Sequence, residues 1–305
     1  MKKYNIFLSI IVVYVIINMI LFPHLYISKT LDGISAWAFN VLPSILPFIF
    51  FTKVLGTTGT VEKFSSLFKK PCEFLFNTPQ ISSYVFFMSI ISGYPIGAKI
   101  TSDLYLNGKL SRAEAFRMTS FCSTSGPMFI IGAVGSIMLK NAMYGYIIFV
   151  SHILGAILNG IIYRKIKVKE IPFSEQHEKK SSLDLSTIVL DTSLSVISVG
   201  VIIAIFFVII TSFSPILGFL PPKTSALFEG IIEITKGCID IAKSYNDFGK
   251  ILACTFVISF GGISTILQSL TMLEKLKMPF PLFILQKFSH AVLSTLIAIP
   301  FCFLL

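Results

Sequence analysis

Two polar, glycine-containing stretches interrupt otherwise apolar segments of this chain, and they constrain its fold more than any other feature. The first covers residues 92–97 (SGYPIG) and the second covers residues 259–265 (SFGGIST). A broken helix that faced lipid would leave backbone N–H and C=O groups without partners, so such breaks occur where the chain faces protein or a polar cavity. Paired breaks in the two halves of a chain are typical of transporters.

The composition indicates an integral membrane protein. Of the 305 residues, 54% are hydrophobic and only 13% are charged, whereas about a quarter of an ordinary soluble domain is charged. The apolar residues form runs of about 20, the length that spans the hydrocarbon core. The clearest runs are 4–22, 33–52, 118–139, 144–163, 193–211 and 281–305, and the interrupted segments 81–99 and 251–272 lie between them. We therefore expect an all-α, polytopic protein that crosses the cell membrane several times.

The distribution of basic residues predicts how the chain is oriented. The first run follows Lys2 and Lys3 and is expected to be an uncleaved helix, because no small-residue cleavage site follows it and further spans do. The net charge of +10 does not indicate nucleic-acid binding, since no basic run is interleaved with aromatic residues in a polar segment. With a cytoplasmic N-terminus, most Lys and Arg residues fall on the inner side, as the positive-inside rule requires. In this topology Lys275, Lys277 and Lys287 lie outside.

A polar segment at residues 164–186 divides the chain into two halves with the same order of elements. Each half has a long apolar helix, an amphipathic connector, an interrupted segment, a basic turn and another apolar helix. If the segment returns the chain to the cytoplasm, the two repeats are inverted. We expect an N-terminal transmembrane helix (1–30), a first repeat (31–163), a cytoplasmic linker (164–190) and a second repeat (191–305). Each repeat should contain a re-entrant helical hairpin and a broken transmembrane helix.

This register pairs Gly93 with Gly261, so both interrupted segments are expected to be re-entrant hairpins. The connector at residues 226–244 is expected to be one helix. On such a helix Glu229 and Glu233 share a face, as do Lys236 and Asp240, because each pair is one turn apart.

Half-helices that begin at the breaks could form an anion site. Pro95 and Pro127 can each open a half-helix, since proline suits the first helical position. Helix N-termini offer free N–H donors and a partial positive charge. The alternative is a pair of kinked helices whose hydroxyls bond back to their own carbonyls. The predicted substrate-binding residues are Ser92, Gly93, Tyr94, Pro95, Gly97, Lys99, Ser123, Thr124, Ser125, Gly126, Gly261, Gly262, Ser264 and Thr265.

Several ionisable residues in or near apolar segments are further candidates. Lys99 and Asp103 lie four residues apart and form either a salt bridge near the membrane boundary or a substrate contact in which Asp103 holds Lys99. His152 and His290 each lie in an apolar run, where they either bond a neighbouring helix or serve function. His290 is the better functional candidate because it follows the second interrupted segment. Candidates for binding a coupling ion, H⁺ or Na⁺, are Asp103, Glu229, Glu233 and His290.

The sequence offers little support for an enzyme or a metalloprotein. The five cysteines are isolated and odd in number, which predicts free thiols packed as small hydrophobes, with no metal and no cofactor. They are Cys72, Cys122, Cys238, Cys254 and Cys302. No H-E-x-x-H and no G-x-S-x-G motif occurs. The only candidate nucleophile and base are Cys122 or Ser125 with His152. We expect no enzymatic activity.

Three motifs carry a resemblance to a known family. They are SGYPIGAK at residues 92–99, LSRAEA at 110–115 and FCSTSGPMFIIGAVG at 121–135. Together they resemble the sporulation integral membrane protein YlbJ family, which carries the nucleoside-recognition, or Gate, domain. The resemblance implies two Gate repeats arranged as in concentrative nucleoside transporters, with two re-entrant hairpins and two unwound helices around a central site. It also implies a role in sporulation and in moving dipicolinic acid across a forespore membrane.

The resemblance also bears on the substrate. Residues 123–125 (STS) stand where nucleoside carriers have the Gln-Thr-Glu signature that binds ribose hydroxyls. This departure favours a small planar dicarboxylate over a nucleoside. The leading hypothesis is therefore a secondary transporter of a small organic anion. The alternatives are a nucleoside transporter and a Gate-domain protein that transports nothing and acts as a partner in sporulation. A homo-oligomer is compatible with the sequence, and no nucleic-acid partner is expected.

Overall fold

The computed structural model of the chain describes residues 2–94, 96–169 and 185–303, which are helical with no strand among them. Five of the described helices are long and apolar enough to cross a membrane: Pro23–Leu55, Ala142–Tyr163, Leu185–Leu217, Asp247–Met272 and Phe280–Cys302. The expected all-α, polytopic membrane protein is thus confirmed. Pro95 and most of the predicted linker, residues 170–184, lie outside the described residues.

The described residues of the first half form nine α-helices. They are α1 (Lys2–Leu21), α2 (Pro23–Ser35), α3 (Leu42–Thr57), α4 (Thr60–Ser65), α5 (Lys69–Phe76), α6 (Ser82–Ser92), α7 (Ile96–Leu106), α8 (Arg112–Thr119) and α9 (Ala142–Tyr163). Two π-helical segments, Ala36–Val41 and Met128–Met138, and a 3₁₀ turn, Ser66–Phe68, complete the half. Pro23 opens α2, and the helix then runs on to Leu55. The predicted domain boundary at residue 30 therefore falls inside a helix.

In the second half, residues 185–303 form six α-helices. They are α10 (Leu185–Leu217), α11 (Pro222–Ile232), α12 (Ile234–Ser244), α13 (Asp247–Phe260), α14 (Gly262–Met272) and α15 (Phe280–Cys302), with a 3₁₀ turn at Glu274–Leu276. Helices α9, α13 and α15 pack against one another at the centre of the molecule. Small residues allow this packing. For example, a Cβ on Gly155 of α9 would lie 2.9 Å from the Cα of Ser294 on α15.

The predicted connector at residues 226–244 is not one helix, and this prediction was wrong. The chain breaks at Glu233, whose backbone is extended (φ −143°, ψ 121°). Helices α11 and α12 then fold back on each other, and Gly230 of α11 contacts Gly237 of α12 at their interface. A Cβ on Gly237 would lie only 2.1 Å from the Cα of Gly230. Glu229 and Glu233 consequently do not share the face of a continuous helix.

The interrupted segment at residues 251–272 is a broken helix and not the expected re-entrant hairpin. Gly261 (φ 92°) ends α13 in the left-handed conformation, which glycine adopts without steric cost. Helix α13 packs on α9 and α15, whereas α14 packs on α7 and α10. The two halves of the segment thus diverge at Gly261.

The order of elements gives a register that differs from the predicted one. In the first half, the helix pair α6–α7 is followed by a broken segment (α8 and Met128–Met138) and then by α9. In the second half, the pair α11–α12 is followed by the broken α13–α14 and then by α15. In this order Gly93 and Glu233 lie in the turns of the two helix pairs, and residues 120–127 and Gly261 interrupt the segments that follow. The inversion of the two halves across a membrane stays a prediction.

The cysteines of the fold are free thiols, and four of the five are buried. Cys72 lies on α5 within a cluster of buried apolar side chains that includes Phe76 and Phe121. Burial raises the pKa of the Cys72 thiol to about 11, because an apolar environment disfavours the thiolate. The thiol is therefore protonated at neutral pH and packs as a small hydrophobe.

Candidate functional site

Four helix breaks in the described residues meet around one cavity of about 760 Å³, counting its open mouth. Each break contributes polar groups to the wall, which comprises Ser92, Gly93, Tyr94, Ser125, Gly126, Glu233, Thr235, Ser264, Thr265 and Gln268. The opposite wall is apolar and is formed by side chains of α3 and α10, among them Phe48 and Ile202. A concave site with few polar groups on an apolar background is typical of small-molecule binding.

Three helical segments begin at the cavity. They are Met128–Met138, α12 and α14, and their first residues lie in or beside its wall. The N-terminal end of a helix carries a partial positive charge and free N–H groups. At α12 these donors are already used, because the Glu233 carboxylate accepts from the backbone N–H of Lys236 at 2.7 Å. The Glu233 charge is thus offset by its own helix.

Glycines bring the first two breaks into direct backbone contact. Gly93 (φ 71°, ψ −166°) lies against Gly126, and a Cβ on Gly93 would be 2.7 Å from the Gly126 nitrogen. A Cβ on Gly97 would be 1.8 Å from the carbonyl oxygen of Cys122. Neither position can hold a larger residue without moving the backbone. These two glycines therefore fix the tip of α6–α7 against the broken segment.

A buried histidine joins the second break to the fourth. The backbone N–H of Ser125 donates to His152 Nε2 at 2.9 Å, so this nitrogen carries no proton. His152 Nδ1 therefore carries the proton and donates to Ser259 Oγ at 2.8 Å. His290 Nε2 donates to the carbonyl oxygen of His152 at 2.9 Å. Both ring nitrogens of His152 are thus engaged in hydrogen bonds.

Lys287 lies behind the cavity and was placed wrongly by the sequence-based topology, which put it on an outer surface. Its side chain is buried (2% exposed). Its ammonium donates to Tyr94 Oη at 2.9 Å and to the carbonyl oxygen of Ser123 at 2.8 Å. The Tyr94 hydroxyl in turn donates to the carbonyl oxygen of Ile258 at 3.1 Å. Lys287 thus connects three of the four breaks. It bonds Tyr94 and Ser123 directly, and Tyr94 bonds Ile258.

One hydroxyl of the cavity wall has no partner. Ser264 lies in the first turn of α14 and is 2% exposed, and its Oγ makes no hydrogen bond. A buried polar group without a partner is unfavourable by roughly 1–3 kcal/mol. Such a group in the wall of a cavity is explained by a ligand or water that binds there.

The structure gathers most of the predicted site residues at the breaks. Those that line the cavity are Ser92, Gly93, Tyr94, Ser125, Gly126, Ser264, Thr265 and the predicted coupling residue Glu233. Those that lie directly behind it, in contacts between the breaks, are Gly97, Ser123, Thr124, Gly261, Gly262 and His290. Thr124, for example, donates from its hydroxyl to Ser89 Oγ at 3.1 Å.

Three predicted residues lie elsewhere. Lys99 is exposed on α7, and neither it nor Asp103 lines the cavity. Glu229 pairs with Lys236 at 2.7 Å, and Lys236 also pairs with Asp240. This ion cluster lies on α11–α12 outside the cavity wall. Lys99 and Asp103 share α7, so their separation from the site follows from the direction of that helix.

Sequence reasoning missed Lys287, Thr235 and Gln268. A signal was available for Lys287, since a lysine inside an apolar run is a functional candidate by default. No comparable signal existed for Thr235, because the break at Glu233 contains neither glycine nor proline.

Comparison with known proteins supports the expected resemblance. The chain is similar to the sporulation integral membrane protein YlbJ of Bacillus subtilis (strain 168), with 36% identity over 153 residues. The match covers 50% of this chain and 36% of the relative, so the chain matches about a third of that protein's length. No family model matches. No solved structure matches either. The resemblance to the YlbJ family is confirmed, and with it a multi-pass membrane location.

Proposed function

We propose that this relative of YlbJ carries a small organic anion across the membrane in which it lies. The anion binds in the cavity where the four breaks meet, and movement of the pairs α6–α7 and α11–α12 exposes it to one side and then the other. The observation that carries the proposal is the meeting of these breaks around a single cavity. Interrupted helices at a central site are the usual construction of secondary transporters.

The electrostatics of the site favour an anion. Two helices begin at or beside the cavity, at Met128 and Gly262, and the Lys287 ammonium lies behind Tyr94. Glu233 is the only charged residue in the described wall, and its carboxylate is bonded to its own helix. A compact dicarboxylate such as dipicolinic acid has two charges for these donors and a flat ring for the apolar wall. The relative's involvement in sporulation agrees with this substrate class.

Coupling of transport to an ion gradient is also part of the proposal. Glu233 is the carboxylate best placed to couple transport to H⁺ or Na⁺, since it alone among the predicted acidic candidates reaches the cavity. No catalytic step is assigned, because His152 has no ring nitrogen free to act as a base. The membrane concerned would be the cell membrane or, during sporulation, a forespore membrane.

A nucleoside is the second candidate substrate. Thr235, Thr265 and Gln268 offer neutral hydrogen-bonding groups in the cavity wall. Such groups suit a sugar or a base better than a carboxylate. A Gate-domain partner that transports nothing is the third candidate, and it needs no ligand in the cavity.

Uptake into vesicles tests the proposal directly. The purified full chain is reconstituted into lipid vesicles, and movement of labelled dipicolinate and of labelled uridine is followed under imposed H⁺ and Na⁺ gradients. We expect protein-dependent movement of dipicolinate, with protein-free vesicles as the control. Movement of uridine alone would favour the nucleoside candidate. Movement of neither compound, from vesicles in which the protein is folded, would leave the partner role as the better explanation.

A further inference from the structure

Lys287 is buried without a counter-ion. No carboxylate of the described residues forms an ion pair with it, and the two partners of its ammonium, Tyr94 and Ser123, are both uncharged. An ammonium has three N–H donors and keeps its charge only where the surroundings compensate for lost water. Burial of an unpaired charge is strongly unfavourable. The position is therefore hard to explain by the stability of the empty protein.

The ammonium is one side chain away from the cavity. Tyr94 lines the cavity, and the Lys287 Nζ lies 4.6 Å from the centre of its ring as well as bonding its hydroxyl. Gly261 leaves the space that the lysine stem occupies, since a Cβ there would lie 3.2 Å from Lys287 Cε and 3.4 Å from Tyr94 Oη. A ligand that displaces the Tyr94 ring would meet the ammonium directly.

We propose that the Lys287 ammonium recognises a carboxylate of the substrate and that the Tyr94 hydroxyl takes the place of that carboxylate while the site is empty. This inference rests on the proposed function, and it names the residue that selects for negative charge. It replaces the expectation that Lys99 contacts the carboxylate.

The position of Tyr94 links anion binding to movement of the helix pair. Tyr94 lies in the turn between α6 and α7, next to Gly93, and belongs to neither helix. Any displacement of this turn carries the Tyr94 hydroxyl away from Lys287 and from the Ile258 carbonyl. A bound carboxylate compensates the ammonium after that displacement. The anion thereby stabilises the arrangement in which the turn has moved.

A purely structural role is the competing explanation. The ammonium donates to the Ser123 carbonyl, which lies in a break and has lost its helical partner. On this view Lys287 holds the break together and has no preference for a charged ligand. The two explanations differ in selectivity between ligands of equal shape and unequal charge.

The test compares dipicolinate with its neutral isostere, pyridine-2,6-dicarboxamide, by calorimetric titration of the full chain in detergent. Lys287→Met keeps the length of the side chain and removes its charge. We expect it to weaken dipicolinate binding by roughly ten- to a hundredfold, as for loss of a hydrogen bond to a charged group. Binding of the diamide should not change. Lys99→Met is the matched control and should leave both ligands unaffected.

Tyr94→Phe provides an independent test that does not alter the lysine. It removes the hydroxyl that competes with the substrate, so dipicolinate should bind more tightly. Equal loss of both ligands in Lys287→Met, or weaker dipicolinate binding in Tyr94→Phe, would overturn the inference in favour of the structural role. Dipicolinate binding that survives Lys287→Met unchanged would refute this inference and leave the proposed function standing. Absence of binding by the unmodified protein would instead refute the proposed function.

Discussion

Replacing Gly93 by alanine tests whether the contact between the first two breaks determines the site. Two costs add at this position. The backbone of Gly93 (φ 71°, ψ −166°) lies in a region that is essentially restricted to glycine, and a side chain there is unfavourable by about 1–3 kcal/mol. The new Cβ would also lie 2.7 Å from the Gly126 nitrogen, and overpacking of this kind is unfavourable by about 1–3 kcal/mol. We expect Gly93→Ala to lower the free energy of unfolding by about 2–6 kcal/mol.

Gly59 supplies the matched control. Its φ is 69°, close to that of Gly93, but nothing lies within 4 Å of a Cβ built there. Gly59→Ala should therefore show backbone strain alone, about 1–2 kcal/mol. The difference between the two variants therefore reports mainly the contact of Gly93 with Gly126.

The assay combines stability with binding. Thermal unfolding of both variants is followed in the same detergent by circular dichroism, and dipicolinate binding is measured on the fraction that remains folded. Gly93→Ala should unfold at a lower temperature than Gly59→Ala and should lose binding, because Gly126 and Tyr94 shift with the clash. Equal unfolding temperatures with binding retained in both variants would refute the reasoning.

Three further predictions concern buried polar groups. Ser264→Ala should leave stability unchanged or raise it by up to about 1 kcal/mol, since the hydroxyl has no partner, and it should weaken ligand binding. Ser259→Ala removes the acceptor of a His152 proton and should lower stability by about 1–3 kcal/mol. A destabilised Ser264→Ala protein would contradict the first expectation. Asn159→Ala removes the buried amide group that donates to the carbonyl oxygens of Ser120 and Gln286 and should lower stability by about 1–3 kcal/mol. Asn107→Ala loses only an exposed bond within its own helix, so equal stability of the two variants would count against the buried network.

Local sequence patterns are sufficient to predict the class of the fold and the polar breaks at Gly93 and Gly261. Apolar runs of membrane-spanning length become helices because backbone groups in hydrocarbon must bond within their own segment. Gly93 and Gly261 mark breaks because both adopt positive φ, a local property of the residue. Polar residues beside these glycines face the cavity for the reason that was predicted, namely that a broken helix needs polar or protein surroundings.

The tertiary structure alone decided which segments fold back. Residues 226–244 have helical periodicity, and position 233 is neither proline nor glycine. Local propensity therefore predicts one helix. The break at Glu233 occurs because folding back lets Gly230 and Gly237 pack together and lets the carboxylate cap α12. The packing of the glycines and the cap by Glu233 form only once the two helices are in contact. The residues next to position 233 therefore do not indicate the break. This break places Glu233 in the turn of the α11–α12 pair.

The position of Lys287 was decided in the same way. A lysine in an apolar run can extend to a membrane surface or turn inward, and the run itself does not distinguish these outcomes. Its two partners, Tyr94 and Ser123, lie 193 and 164 residues away in the sequence. Only the packing of α15 against the breaks brings them within hydrogen-bonding distance. The charge of the site therefore depends on contacts between distant segments, whereas its polarity follows from the breaks themselves.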